Sequence, residues 1–149
     1  MPNNLVEAYN AFKRAYLKLK EFIELDDKTE VSKAAIIHAF EYTFELWWKA
    51  VQRYVEYIGT VDQYGPSATI KNAFQYNLLE DGQIWMDMLR DRNLTAHTYK
   101  EDIANDIYER IISIHIKALE KFVEDFDNKI WTSENAKKYC FFAFLVLNI

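Results

Sequence analysis

Polar side chains suited to acid–base chemistry are concentrated in residues 90–100, which read RDRNLTAHTYK. This segment combines guanidinium, imidazole, hydroxyl and amide groups and holds few large apolar side chains. An arginine can clamp the charge of a phosphate, and a histidine can move a proton. Arg92 and His97 are therefore the candidate catalytic pair, and the hydroxyl of Thr98 is a candidate supporting group.

The spacing of Arg92 and His97 limits how the two side chains can meet. On one continuous α-helix, residues five apart point about 140° away from each other. They can share a site only if the helix ends between them, or if two chains of a symmetric dimer each contribute a copy. Thr98 and Glu101 have the form of a capping box, which favours the first arrangement because a new helix would begin at Thr98.

A helix N-terminus at Thr98 would make this segment attractive to anions. The free N–H groups and the helix dipole favour negative charge there, and they disfavour an imidazolium. We therefore expect a phosphate-binding turn in which His97 is neutral near pH 7 and accepts a proton. The spacing alone also fits a polar turn whose histidine only caps or packs.

The remaining histidines and the one cysteine do not form a recognisable site. His38 and His115 each lack a partner at a metal-ligand spacing such as HExxH, so we expect structural or surface roles for both. Cys140 is the only cysteine, which excludes an internal disulfide framework and a thiolate metal cluster. We predict no metal site and no cofactor.

The composition indicates which elements position the candidate residues. The chain has 149 residues, 50% of them hydrophobic, with only 3 Gly and 2 Pro, which favours one all-α domain over a turn-rich β fold. The net charge of −5 disfavours non-specific binding to nucleic acid but allows a local basic patch. No secretion signal and no apolar run of about 20 residues is present, so we expect a cytoplasmic protein without membrane contact.

Apolar residues recur every three or four positions and predict an antiparallel, up-and-down four-helix bundle with additional short helices. The second long helix is apolar on two sides, which places it at the centre of the bundle or at a subunit interface. We assign residues 1–130 to the bundle. Residues 131–149 form an apolar C-terminal extension that we expect to dock on the bundle or on a dimer interface. The helices are predicted over residues 5–23, 29–58, 67–78, 83–94 and 98–126.

Several of these segments resemble a known family. The stretch RNLTAHTY, residues 92–99, resembles the R-x4-H-x-Y motif of HepT-type HEPN-domain proteins. Residues 32–59, 70–74 and 84–89 are similar to the nucleotidyltransferase substrate-binding protein family. The resemblance extends from about Leu5 to Phe126 and does not include the apolar extension.

The resemblance implies a HEPN-like helical bundle that forms a homodimer and is encoded beside a minimal nucleotidyltransferase. In HepT-like members the bundle is a metal-independent ribonuclease toxin, and the nucleotidyltransferase is its antitoxin. By this resemblance Arg92 and His97 are catalytic across a dimer cleft, Asn93 is the supporting polar residue, and Tyr99 is the tyrosine that the partner modifies with AMP. The resemblance also allows a non-catalytic subunit that binds nucleotide or substrate for its partner. A purely structural helical dimer is the third possibility.

Overall fold

Helices make up most of the part of the chain that the computed structural model describes, residues 1–128, and no strand occurs in it. The predicted all-α bundle is confirmed. The elements are α1 (Asn3–Glu24), α2 (Glu30–Ile58), α3 (Pro66–Gln75), α4 (Gly82–Leu94), a 3₁₀ turn (Thr95–His97), α5 (Glu101–Arg110), a π-helical segment (Ile111–His115) and α6 (Ile116–Phe126).

Helix α2 lies at the centre of the bundle and contacts α1, α3, α4 and α5. Its two apolar sides are both buried, as the sequence predicts for a central helix. The Trp47 ring of α2 stacks on Trp85 of α4 with ring centroids 4.1 Å apart, and the edge of Phe122 from α6 meets both indoles. This aromatic cluster fixes α4 and α6 against the central helix.

Side chains cap the starts of α2 and α4. The Thr29 hydroxyl accepts a hydrogen bond from the backbone N–H of Ser32, which begins α2. The Asp81 carboxylate accepts from the N–H of Gln83 and begins α4 in the same way. Helix α2 ends at Ile58, before Gly59, as predicted.

The predicted capping box of Thr98 and Glu101 is wrong. Helix α5 begins at Glu101, its N-cap residue is Lys100, and no side chain caps it. The Thr98 hydroxyl donates instead to the carbonyl of Thr95, because the 3₁₀ turn extends α4 beyond Leu94 and leaves that carbonyl available. His97 therefore lies at the C-terminal end of α4, and the helix-dipole argument for an anion site and a neutral imidazole has no basis in this structure.

The predicted apolar extension, residues 131–149, and Cys140 within it lie outside the described residues. Across residues 1–128, no helix is both long enough and apolar enough to span a bilayer.

Candidate functional site

The segment from Arg92 to Tyr99 turns the chain from α4 into α5. Helix α4 ends at Leu94, so the helix does end between Arg92 and His97, as one of the two predicted arrangements requires. The Thr95 hydroxyl donates to the Arg92 carbonyl at 2.6 Å, and the backbone N–H of Lys100 donates to the His97 carbonyl at 3.1 Å. These two bonds hold the turn and do not use the side chains of Arg92, His97 or Tyr99.

Arg92 is bound to the central helix. Its Nη2 donates to Oε2 of Glu45 at 2.6 Å, and its Nη1 donates to Oδ1 of Asn93 at 3.3 Å. Partial burial favours the neutral form of the Glu45 carboxyl, but the positive charges of Arg92 and Lys49 contribute to a pKa below its usual value. The guanidinium therefore faces a carboxylate and keeps one edge toward Asn93.

His97 is exposed, and its surroundings differ from those of Arg92. It lies beside Asn93, whereas the Arg92 guanidinium lies against Glu45. His97 and Asn93 border a shallow depression whose other lining includes Met86, Leu89 and Leu94. An imidazole on a partly apolar surface is accessible both to a ligand and to a second protein chain. This placement is compatible with the predicted role of His97 in a site shared by two chains.

Tyr99 lies next to His97 and is open to solvent. Its ring centroid is 6.1 Å from that of His97 in an edge-to-face arrangement, and 76% of the residue is exposed. The hydroxyl of Tyr99 is thus accessible for chemical modification. A group attached there would crowd the imidazole.

The structure joins some of the predicted site residues and separates others. Arg92 contacts Asn93, and His97 contacts Tyr99, but within the described part of one chain no hydrogen bond or ring contact connects Arg92 with His97. Thr98 is half-buried and bonds only to the turn that precedes it. One chain by itself therefore does not assemble the predicted pair.

A cleft of about 450 Å³ opens between α2 and the turn that carries Tyr99. Its charged lining includes three carboxylates and one ammonium group, so the cleft is acidic. The Lys33 ammonium approaches Oδ1 of Asn105 at 3.4 Å and lies over the ring of Tyr108. The lining includes Glu30, Lys33, His38, Glu41, Tyr99 and Glu101.

A second arginine and histidine with the same spacing form a buried network that the sequence analysis missed. Arg110 donates from Nε and Nη2 to the two oxygens of Asp91 at 2.8 Å each, and Nε2 of His115 lies 2.6 Å from Oδ2 of the same carboxylate. Asp91 is fully buried and His115 is 1% exposed. The expected structural role of His115 is confirmed, and its partner is the residue before Arg92.

The charge state of Asp91 follows from its neighbours. Burial alone would raise the pKa of its carboxyl, but the hydrogen bonds from His115 and Arg110 outweigh burial and lower the pKa below its usual value. The carboxylate is therefore ionised and can only accept, so the N–H at Nε2 of His115 donates a hydrogen bond to it. No described residue forms a hydrogen bond with the buried Nδ1 of His115.

The π-helical segment makes this network possible. On a regular α-helix, Arg110 and His115 would point about 140° apart. The backbone N–H of Ile116 instead bonds to the carbonyl of Ile111, five residues earlier, so the turn is wider and both side chains reach one carboxylate. Within residues 1–128, no group of three or more His, Cys, Asp or Glu side chains is arranged to hold a metal ion.

Comparison with known proteins places this arrangement in a family. The family model described as nucleotidyltransferase substrate binding protein like matches residues 7–128. The chain belongs to this family. The match covers the described bundle from the second turn of α1 onward and includes both arginine–histidine pairs.

Similar proteins carry related names. A Haemophilus influenzae protein named probable ribonuclease HepT is 32% identical over 82 residues, which are 52% of this chain and 56% of that relative. The match thus spans about half the length of the curated relative.

Two solved structures share the fold of this member of the nucleotidyltransferase substrate-binding protein-like family. A crystal structure of a Thermus thermophilus protein has a TM-score of 0.70 and 34% identity, and the match covers 76% of this chain and 96% of that one. A Haemophilus influenzae structure, described as the fold of a substrate binding domain of a nucleotidyltransferase, has a TM-score of 0.58 and 22% identity. It covers 82% of this chain and 96% of its own and supports the fold alone.

Proposed function

We propose that this chain is the helical partner of a minimal nucleotidyltransferase and acts, as a homodimer, as a metal-independent ribonuclease of the HepT type. The observation that carries the proposal is the R-x4-H-x-Y motif, residues 92–99, with His97 and Tyr99 both exposed on one turn. The family match and the relative named probable ribonuclease HepT support it.

The proposed reaction needs a base and a positive charge. His97 removes the proton from a ribose 2′-OH, and the 2′ oxygen bonds to phosphorus. The bond from phosphorus to the 5′ oxygen breaks as that oxygen takes up a proton from solvent water, and His97 later returns its proton to the solvent. Arg92 stabilises the charge that develops on the phosphoryl oxygens. The products are a 2′,3′-cyclic phosphate and a 5′-OH end, and each of the two groups is worth roughly 10² to 10⁴ in rate.

The proposed site needs two chains because Arg92 and His97 do not contact each other within one described chain. A two-fold axis next to the depression at His97 would place the imidazole of one copy near the motif of the other. Met86, Leu89 and Leu94 supply apolar surface for such a contact. The homodimer is thus part of the proposed mechanism.

Tyr99 is the proposed point of control by the nucleotidyltransferase. Its hydroxyl is accessible, and its ring is 6.1 Å from the imidazole of His97. An AMP group on Tyr99 would place a bulky anion beside the base and would oppose the approach of an RNA phosphate.

A second candidate function is a non-catalytic subunit that holds a nucleotide or another substrate for the nucleotidyltransferase. Three observations favour it. Arg92 is already paired with Glu45, and the net charge of −5 opposes a strong affinity for RNA. The cleft of about 450 Å³ beside Tyr99 has the size of a small-molecule site, and its three carboxylates favour a substrate without phosphate groups over a nucleotide.

Cleavage of RNA in the presence of EDTA separates the two functions. Purified protein is incubated with tRNA and with mRNA, and the 3′ ends of the products are tested for 2′,3′-cyclic phosphate. We expect cleavage by the wild type and by Arg14→Ala, a control that removes an exposed guanidinium from α1. An inactive wild type, under conditions where a known HEPN ribonuclease cuts, would favour the non-catalytic subunit.

A further inference from the structure

Beyond Met88, helix α4 contains one fully buried side chain, and it is the charged Asp91. Helix α4 buries three residues, Trp85, Met88 and Asp91, which are spaced by three positions. The two apolar side chains hold the first half and the middle of the helix. Residues 89–94 contain no fully buried apolar side chain, so the orientation of this last part depends on what holds Asp91.

Two neighbouring elements hold Asp91 in place. Arg110 at the end of α5 binds both carboxylate oxygens, and His115 at the end of the π-helical segment binds one of them. The His115 ring also stacks on Phe40 of α2, with centroids 5.3 Å apart and planes inclined by 16°. Helices α2, α4 and the α5–α6 helix thus meet at this carboxylate.

Breaking this network lowers the stability of the fold strongly. A buried carboxylate that loses a partner keeps its desolvation penalty, so the arrangement with both donors in place is strongly preferred. Because Asp91 and Arg92 are adjacent on α4, about 100° apart around its axis, any rotation of the helix that moves Asp91 also moves Arg92. The position of Arg92 against Glu45 therefore depends on the donors from Arg110 and His115.

We propose that Asp91, Arg110 and His115 are positioning residues for Arg92. This inference rests on the proposed function in that Arg92 is the group that meets the RNA phosphate. None of the three residues touches the reacting atoms. They act by fixing the rotation of the last turns of α4, so that the guanidinium lies on the Glu45 side of the turn.

The test uses a readout of Arg92 that does not depend on activity. Nε of Arg92 is buried and has no hydrogen-bond partner among the described residues, so its Nε–Hε signal in a ¹H–¹⁵N spectrum reports on its local position. The signal is assigned by its disappearance in Arg92→Lys. Full-length Asp91→Asn and His115→Leu are compared with His115→Gln, whose amide can still donate to the carboxylate.

We expect Asp91→Asn and His115→Leu to shift the Arg92 signal and to lower kcat for RNA cleavage by about tenfold to a hundredfold, since small misplacements of a catalytic group are costly. His115→Gln should restore the signal and most of the rate. Leu19→Ala, in α1, is the control: it lowers the melting temperature but leaves the signal and the kcat of the folded fraction unchanged.

An unchanged Arg92 signal and an unchanged kcat in folded Asp91→Asn would overturn the inference. If neither Asp91→Asn nor His115→Leu folds, Arg110→Gln decides, because the Arg110 side chain is 35% exposed and its loss is better tolerated. If the wild type does not cleave RNA, the proposed function fails. The Arg92 signal then still decides whether the three residues position that side chain.

Discussion

Two segments of this protein carry an arginine and a histidine five residues apart, and they resolve the same geometric conflict in opposite ways. Between Arg92 and His97 the α-helix ends in a 3₁₀ turn, and the two side chains point to different surroundings. Between Arg110 and His115 the helix widens into a π turn, and both side chains meet one buried carboxylate. Spacing by itself therefore does not identify a site.

Burial and partners distinguish the two pairs. His115 and Asp91 are buried inside the bundle, and Arg110, whose side chain is 35% exposed, directs Nε and Nη2 to the same carboxylate. His97 is exposed and borders a partly apolar surface, so it retains the capacity to act on something outside the chain. Arg110 and His115 therefore serve the structure, and His97 is accessible for chemistry.

The largest expected effect is loss of activity when Arg92 or His97 is replaced. Arg92→Ala and His97→Ala should each lower RNA cleavage by roughly 10² to 10⁴, because the first removes the proposed charge stabiliser and the second the proposed base. The melting temperature of His97→Ala should remain close to that of the wild type, since His97 is exposed. Cleavage and thermal unfolding are measured on the same samples. A His97→Ala protein that cuts RNA at the normal rate would remove the distinction between the pairs.

The next largest effect is a loss of stability when the network around Asp91 is broken. Asp91→Ala leaves two donors without their acceptor and should lower the free energy of unfolding by about 3–5 kcal/mol. Asn93→Ala, an exposed change on the same helix, should alter it by less than about 0.5 kcal/mol. Urea denaturation measures both values. Similar losses in the two variants would mean that the network does not hold α4.

The buried carboxylate should also make stability depend on acidity. Its folded-state pKa lies below the value of about 3.9 in an unfolded chain, so its bonds stabilise the fold above about pH 4. This contribution is lost as the pH falls through the lower folded-state pKa. Asp91→Asn should therefore show a smaller drop in the free energy of unfolding between about pH 4 and pH 2. Parallel curves for the variant and the wild type would contradict this assignment.

The smallest effect is expected at the ion pair that holds Arg92. Glu45→Gln keeps an acceptor oxygen but removes its charge, so the guanidinium should bind an RNA phosphate more readily and KM should fall by about twofold to fivefold. The effect is small because the pair is partly exposed to solvent. Glu41→Gln, one turn away on α2, is the matched control. A higher KM in Glu45→Gln would show that the Glu45 charge assists binding instead of competing with it.

The bundle could be predicted from the sequence because residues that favour helix ends separate the periodic apolar segments. Thr29 and Gly59 lie at the two ends of α2, as the predicted range requires. The start of α5 was predicted less well because the hydroxyl of Thr98 has two possible local partners, the N–H groups of the next helix or the carbonyl of Thr95. The second is favoured once the 3₁₀ turn forms.

The buried network could not be found by looking for ligand spacing along one helix. Asp91 precedes His115 by 24 residues, and only the packing of α4 on the π-helical segment brings them together. One signal was present in the sequence. Four apolar residues and His115 recur at steps of four from Ile103 to Leu119, and on a straight α-helix four such steps drift by about 160°. A wider turn in this helix corrects the drift.

The π-helical segment has a further consequence for how the length of this chain can vary. A π turn accommodates one residue more than the α-helix on either side of it, so a deletion within it can be absorbed by a return to regular α-helical geometry. Ser113 is exposed, and its removal would place Arg110 and His115 four residues apart, which is again one face of an α-helix. We therefore expect this long helix to tolerate the loss of one residue here, where an ordinary helix would lose the register of its core.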